Sequence, residues 1–321
     1  MDKSQSYGAL LPKENLCSSA LPAPCALAFS PKTFRLDPSA FSWHDMMMNL
    51  IAAQTAAVQA ARAAGKIMLA NWNAPKRVKL SHAHDIKLEL DVRCQELIEN
   101  ILRRAFPKVP LLGEEGRSGD LDAHYRWVVD PIDGTVNYYF GMPHAAVSIA
   151  LQRKKTTEKT KGRLPPISHP PSSYETLVGV IYGPFTDELW TVTLGGSTRL
   201  NGKVVRASRR AKVGDAIIAM GFSKTRENME KSIPHLNRLA RRAKKIRIMG
   251  SAALELAYVA CGRLDAYIER TINIWDIAAG GLMVECSGGE MYLKELPDGR
   301  LRMCADNGLL RKKLNLGGLL K

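Results

Sequence analysis

The order of elements predicts an α/β or α+β enzyme built from two lobes. Three observations carry this: two amphipathic helical stretches come first, a run of short β-type segments follows, and beyond about residue 208 strands and helices alternate. From Trp43 the chain is Ala-rich, with Ile51, Ala52, Ala56, Val58, Ala61 and Ile67 at spacings near three and four, which reads as a helix. A second helix is predicted where Val92, Leu97, Ile98, Ile101 and Leu102 share one face and Arg93, Gln95, Glu99 and Arg103 fill the other. Strands are expected at 109–112, 127–130, 145–151, 177–182 and 189–194, several of them ended by Gly or Pro. The alternating part reads as strand 216–220, helix 228–243, strand 246–249, helix 252–261, strand 264–269, helix 276–285, strands 291–293 and 301–304, and a closing helix.

Composition narrows the class further. The 321 residues are 45% apolar and 24% charged, which excludes a disordered or low-complexity chain. Six cysteines (17, 25, 94, 261, 286, 304) are scattered without a CxxC pair, so neither a zinc cluster nor a disulfide framework is expected. A reducing compartment, the cytoplasm, fits best. The stretch 46–70 is broken by Asn49, Gln54, Gln59 and Arg62, so no membrane-spanning helix is expected. Residues 1–43, with five prolines and no sustained periodicity, read as a disordered tail without the apolar core of a secretory signal.

The formal net charge of +15 invites a nucleic-acid reading. Residues 202–249 hold fourteen Lys and Arg against three acids, 152–173 six against one, and 309–321 four against none. The densest run, 238–247, is expected on a helix entering a strand, and no aromatic residues interleave there to stack on bases. A solvated face is the plain reading of this run, and an RNA or other acidic-partner surface is the alternative. The Lys- and Pro-rich segment 152–173 reads as an exposed hairpin tip.

Acidic residues at strand ends point to chemistry. Gly113-Glu114-Glu115-Gly116 follows an apolar run. In Asp130-Pro131-Ile132-Asp133-Gly134-Thr135, two carboxylates on a tight turn can face one point, with the Ile132 carbonyl as a neutral oxygen donor. Such a set suits a hard cation such as Mg²⁺. Asp276, in Trp275-Asp276-Ile277-Ala278-Ala279-Gly280, sits where a helix should begin; as an N-cap alone it would contribute about 1 kcal/mol. Asp91 on the second helix would by default face solvent. Thr135, after Gly134, stands at an expected helix start where N–H groups can meet phosphate. None of the seven histidines has ligand spacing with a second His or Cys. A phosphomonoester dianion repels hydroxide, so carboxylate-held cations would neutralise it and activate a water for in-line attack.

In order, GEE, DPIDGT, WDxAAG and the CSGG turn at 286–289 resemble the inositol monophosphatase family of Mg²⁺-dependent, lithium-sensitive sugar phosphatases, over roughly residues 45–320. The resemblance implies a layered αβαβα sandwich. Residues 44–207 would form a lobe carrying most metal ligands, and 208–321 a lobe with substrate-binding residues. It implies Glu114, Asp130, the Ile132 carbonyl, Asp133 and Asp276 as metal ligands. Asp91 and Thr135 would orient the attacking water, with Glu114 in the catalytic set. Gly134 and Thr135 would meet phosphate, and Ala252, Glu269 and Asp276 would contact substrate. Two Mg²⁺ ions are implied, and a third is left open because the family's lysine for it falls on Leu80, beside Lys79. The implied substrate is a small phosphorylated polyol, inositol monophosphate first. Histidinol phosphate, fructose 1,6-bisphosphate and adenosine 3′,5′-bisphosphate are alternatives within the fold, and a homodimer is implied.

Overall fold

The structure, a computed structural model, describes residues 49–82, 85–155, 173–222 and 226–316. The tail 1–43 and residues 156–172 of the basic insertion lie outside the described residues. The Ala-rich run forms α1 (Leu50–Ala70), whose first turn is closed by Asn49 Oδ1 accepting the N–H groups of Ile51 at 3.0 Å and Ala52 at 3.1 Å. Ala53, Ala57, Ala60, Ala61 and Ala64 are fully buried, and these short side chains let α1 lie close to its neighbours. A hairpin of β1 (Val78–His82) and β2 (Asp85–Leu88) follows. Val78 and Leu80 of β1 are exposed, whereas Leu88 of β2 is buried and Ile86 packs against the core, too short an apolar pattern for a sequence reading to find. Next comes α2 (Glu89–Ala105), with Cys94, Ile98 and Leu102 buried.

Eight strands then build one sheet: β3 (Leu111–Gly113), β4 (Gly116–Ser118), β5 (Tyr125–Asp133), β6 (Ala146–Lys154), β7 (Tyr174–Gly183), β8 (Glu188–Thr193), β9 (Arg199–Leu200) and β10 (Lys203–Val204). Their spatial order is β10-β9-β8-β7-β6-β5-β3-β4, antiparallel except for the parallel pair β3 and β5. A short helix, α3 (Thr135–Tyr139), leaves β5. The central strands are apolar on both faces, as strands covered on both sides must be.

The second sheet uses β11 (Ile217–Met220), β12 (Lys245–Arg247), β13 (Ala266–Ile272), β14 (Glu290–Glu295) and β15 (Leu301–Asp306), ordered β12-β11-β13-β15-β14. Between these strands run α4 (Arg226–Ala240), α5 (Ala252–Ala260), α6 (Ile274–Cys286) and the terminal α7 (Arg311–Leu314). Three apolar cores hold five layers together. One lies between α1, α2 and the eight-stranded sheet. The second fills the space between that sheet, α5, α6 and the five-stranded sheet. A third joins the outer face of the smaller sheet to α4 and α7 through Leu239, Leu310 and Leu314. This is the expected αβαβα sandwich.

Several boundaries differ from expectation. The predicted helix 228–243 stops at Ala240, and residues 241–244 form a turn, so the basic run 238–247 lies on a helix end, a turn and a short edge strand. Its face is only partly solvated: Arg238 donates to the Asn315 carbonyl at 2.7 Å and Arg242 to that of Lys313 at 2.6 Å, fastening α7 and Asn315 to the end of α4 and the turn after it. The strand expected at 246–249 ends at Arg247 because the Met249 N–H turns away to bond a side chain, Glu255 Oε1, at 3.0 Å.

The middle layer sits tightly on the larger sheet at Gly179. A Cβ there would stand 2.8 Å from the Ala279 carbonyl oxygen and 3.1 Å from its Cα, both backbone atoms of α6 that cannot swing aside. Gly179→Val should therefore lower stability by about 2 kcal/mol or more, read as a lower urea midpoint. An unchanged midpoint would mean that α6 does not depend on this seat.

Candidate active site

A cavity of about 320 Å³ opens at the junction of β5, α3, α5, β13 and α6. The site begins with an irregularity in β5. Asp130 pairs with Ser148 and Asp133 with Ala146, so β5 carries one residue more than β6 across this step. In a regular strand residues i and i+3 face opposite sides. The extra residue reverses that, and Asp130 and Asp133 both line the cavity. Pro131 occupies the bulge, where a missing N–H is tolerated. Asp130 Oδ1 accepts the Ile132 N–H at 3.0 Å, and the Ile132 carbonyl accepts the Thr135 hydroxyl at 2.9 Å.

Three acids are anchored at the starts of three helices. Asp91 is the third residue of α2, and its Oδ2 accepts the Leu88 N–H at 2.6 Å. Asp276 is the third residue of α6 and accepts the Asn273 N–H at 2.9 Å. It is therefore not the N-cap; Asn273 is, because α6 starts two residues before the predicted boundary. Asp133, 118 residues away in sequence, serves the start of α5 instead: Ser251 donates its hydroxyl to Oδ2, as does the Ala253 N–H at 2.8 Å, and the Ala252 N–H reaches Oδ1 at 3.2 Å. Helix starts favour negative charge, so these acids stabilise the elements that place them.

The default solvated reading of Asp91 is overturned: it is 2% exposed, and its Oδ1 is buried without a hydrogen-bond partner. Burial, with Glu114 and Glu115 nearby, pushes its pKa up to about 8. Burial likewise drives Asp130 and Asp276 well above the ordinary carboxylate range, reinforced by Glu114 and by Asp133. The two adjacent glutamates separate in space. Glu114 lines the cavity, while Glu115 pairs with Lys87 at 2.8 Å.

Carboxylate oxygens of Asp130, Asp133 and Asp276 lie within 4.8 Å of one another. With Glu114 and the Ile132 carbonyl at the same cavity, the donor set is all oxygen, which fits a hard divalent cation, and the unpartnered Asp91 oxygen fits a water acceptor. The predicted residues Gly134, Thr135, Ala252 and Glu269 also line the cavity, whereas Asp91 stands outside the lining. Gly134 adopts φ of +90°, and a Cβ there would press against the carbonyls of His144 and Gly250.

Sequence reasoning missed four residues here. Asn137 ties the loop after β5 to the chain before α5 through the carbonyls of His144 at 2.9 Å and Met249 at 2.7 Å. Ser251 holds Asp133. Glu255 and Tyr267 line the inner end of the cavity. Glu255 had a readable signal, a lone acid inside the apolar helix Ala-Ala-Leu-Glu-Leu-Ala; Asn137 and Ser251 carry none, because Met249 and Asp133 are remote from them in sequence, and Tyr267 reads as an ordinary strand residue.

Five layers with a crowded carboxylate pocket define a protein of the sugar-phosphatase fold. The chain belongs to the inositol monophosphatase family, whose model matches residues 51–158 and 173–303. It is 37% identical over 242 residues to a protein of Xylella fastidiosa named Nus factor SuhB, covering 72% of this chain and 78% of that one. To the inositol-1-monophosphatase of Rhizobium meliloti it is 36% identical over 236 residues, with 72% and 82% covered. Among solved structures, the extragenic suppressor protein suhB from Bartonella henselae superposes with a TM-score of 0.73 at 33% identity, covering 84% of this chain and 99% of that one. The inositol monophosphatase from Anabaena gives 0.67 at 30% identity, with 83% and 95% covered.

A carboxyl with a raised folded pKa keeps its proton over a pH range in which the unfolded chain has lost it. Asp91 therefore disfavours the folded state increasingly as pH rises from about 4 through about 8. The metal-free protein should melt at progressively lower temperature across that window, and Asp91→Asn should flatten the slope. A melting temperature that rises with pH there would contradict the crowded arrangement.

Proposed function

We propose that the chain is a Mg²⁺-dependent phosphomonoesterase acting on a small polyol phosphate, inositol monophosphate foremost. The observation that supports it most is the convergence of Asp130, Asp133 and Asp276 within 4.8 Å beside Glu114. These acids and the Ile132 carbonyl would hold the cation. When bound, Mg²⁺ would neutralise the phosphate and ease ionisation of a water. The remaining work falls to residues of the chain. The Thr135 hydroxyl donates to the Ile132 carbonyl, which leaves its lone pairs turned to accept a proton from a water. The Asp91 oxygen without a partner would accept the other and hold the nucleophile in line. Gly134 and Thr135 would present backbone N–H groups to phosphate, and Glu269 would accept hydroxyl protons of the polyol.

Asp130→Asn should reduce Mg²⁺-dependent phosphate release by about a thousandfold or more while circular dichroism stays native. Full activity of this variant would sink the assignment. A release screen over inositol 1-phosphate, histidinol phosphate, fructose 1,6-bisphosphate and adenosine 3′,5′-bisphosphate, with and without Li⁺, should show inositol 1-phosphate hydrolysed fastest.

A second reading, an RNA-binding role beside catalysis, is favoured by one feature of the surface. Lys313 reaches the Ala211 carbonyl at 2.7 Å and Arg242 donates to the Lys313 carbonyl, so the basic segments 202–249 and 309–321 meet beside the exposed Arg241, Lys244, Lys245 and Lys312. Relatives named Nus factor rather than phosphatase are consistent with a role apart from turnover. Charge reversal at Arg241 and Lys244 should weaken RNA binding and flatten its salt dependence. Equal affinity before and after reversal would remove this reading.

A further inference from the structure

We infer that Tyr267, with Glu255 behind it, is a positioning residue that fixes the Glu269 carboxylate as an acceptor for hydroxyl groups of the leaving alcohol; this rests on the phosphatase reading above. Tyr267 and Glu269 are two apart on β13 and so stand on one face of the sheet, the face that lines the cavity. The Tyr267 hydroxyl donates to Glu269 Oε2. The carboxylate also rests on Gly221, just past the end of β11, whose N–H bonds the Ile268 carbonyl at 3.0 Å. A Cβ at Gly221 would come within 2.1 Å of Glu269 Oε2 and 2.4 Å of Cδ, so only glycine leaves room for the carboxylate where it lies.

Glu255 completes the arrangement from α5. It is 1% exposed, its Oε1 accepts the Met249 N–H at 3.0 Å, and the Tyr267 hydroxyl lies against its carboxyl. Burial, with the Glu269 carboxylate nearby, pushes this acid well above the ordinary carboxylate range. The Tyr267 hydroxyl thus sits between two carboxyl groups, donating to Glu269 and backed by Glu255. Tyr267 and Glu255 need not touch substrate. Their effect is to hold Glu269 in one rotamer, ready for a ligand that brings hydroxyl donors.

The test compares inositol 1-phosphate, which offers hydroxyls, with p-nitrophenyl phosphate, which offers none, using the full chain with Mg²⁺. Tyr267→Phe, Gly221→Ala and Glu255→Leu should each lower the ratio of kcat/KM for inositol 1-phosphate over p-nitrophenyl phosphate by about tenfold, mostly through KM. Glu255→Gln, which keeps a donor and an acceptor, should restore the wild-type ratio. A purely structural role would lower both substrates together. Equal losses on both, or an unchanged ratio in natively folded Tyr267→Phe and Gly221→Ala, would overturn the inference. If wild type hydrolyses neither compound, the phosphatase reading fails by itself. Calorimetric binding of inositol 1-phosphate with Ca²⁺ then decides the inference: weaker binding by Tyr267→Phe upholds it, and equal binding, or none by wild type, rejects it.

Discussion

Like charges crowded into a poorly solvated cavity set the terms for everything around them. Two carboxylates 4.8 Å apart repel by about 3 to 4 kcal/mol at an effective dielectric near 20, and Asp130, Asp133 and Asp276 form three such pairs. A backbone N–H donated to a charged oxygen returns only about 1.5 to 3 kcal/mol. Summed over the three pairs, the repulsion is of the same order as the return from the hydrogen bonds to these acids, so little is left to offset the loss of solvation of three charges. Either protons or cations must enter, and the raised pKa values of Asp130 and Asp276 express the first choice. An all-oxygen donor set makes the second available near neutral pH.

The fold meets this constraint by distributing the acids over helix starts. α2, α5 and α6 each direct unsatisfied N–H groups at one acid, Asp91, Asp133 and Asp276 respectively. Asp133 is the strongest instance, because it comes from the larger sheet and caps a helix of the middle layer. Asn137, reaching across to the Met249 carbonyl, fastens the same two layers. Geometry at the cavity and docking of the layers are thus one problem. A carboxylate that moved would release a helix start, and a helix that moved would withdraw the donors that hold the carboxylate.

Much of this was legible in the sequence, for reasons tied to period and motif. The alternation after residue 208 announced β11 through α6, since each element carries its own apolar spacing. DPIDGT and WDxAAG singled out Asp130, Asp133 and Asp276, and those residues do converge on one cavity. What sequence could not show is register. That β5 gains a residue between Asp130 and Asp133 depends on how β6 pairs with it. The partnership of Asp133 with Ser251 spans 118 residues and leaves no periodic trace. Asp91 was misread as solvated because helical spacing gives its angle on the helix and not what closes over it. The helix predicted through 243 failed for the converse reason: Arg241 to Lys244 have helix-compatible composition, yet the Arg242 N–H bonds the Leu239 carbonyl three residues back, the tighter turn on which a helix ends.

Acidity and burial alone do not separate the residues of this site from structural ones. Asp265 and Asp306 are both fully buried, yet Asp265 takes Arg210 at 2.7 Å and Asp306 takes Arg311 at 2.7 Å. Such pairs are neutralised from within the chain and need nothing further. Asp130 and Asp276 have other acids as their principal charged neighbours. The sign of the neighbour is the distinguishing mark: an acid surrounded by bases is complete, and an acid surrounded by acids calls for something the chain does not itself provide. The net charge of +15 hides this entirely, because its excess gathers in the three basic segments, well separated in sequence from DPIDGT and WDxAAG.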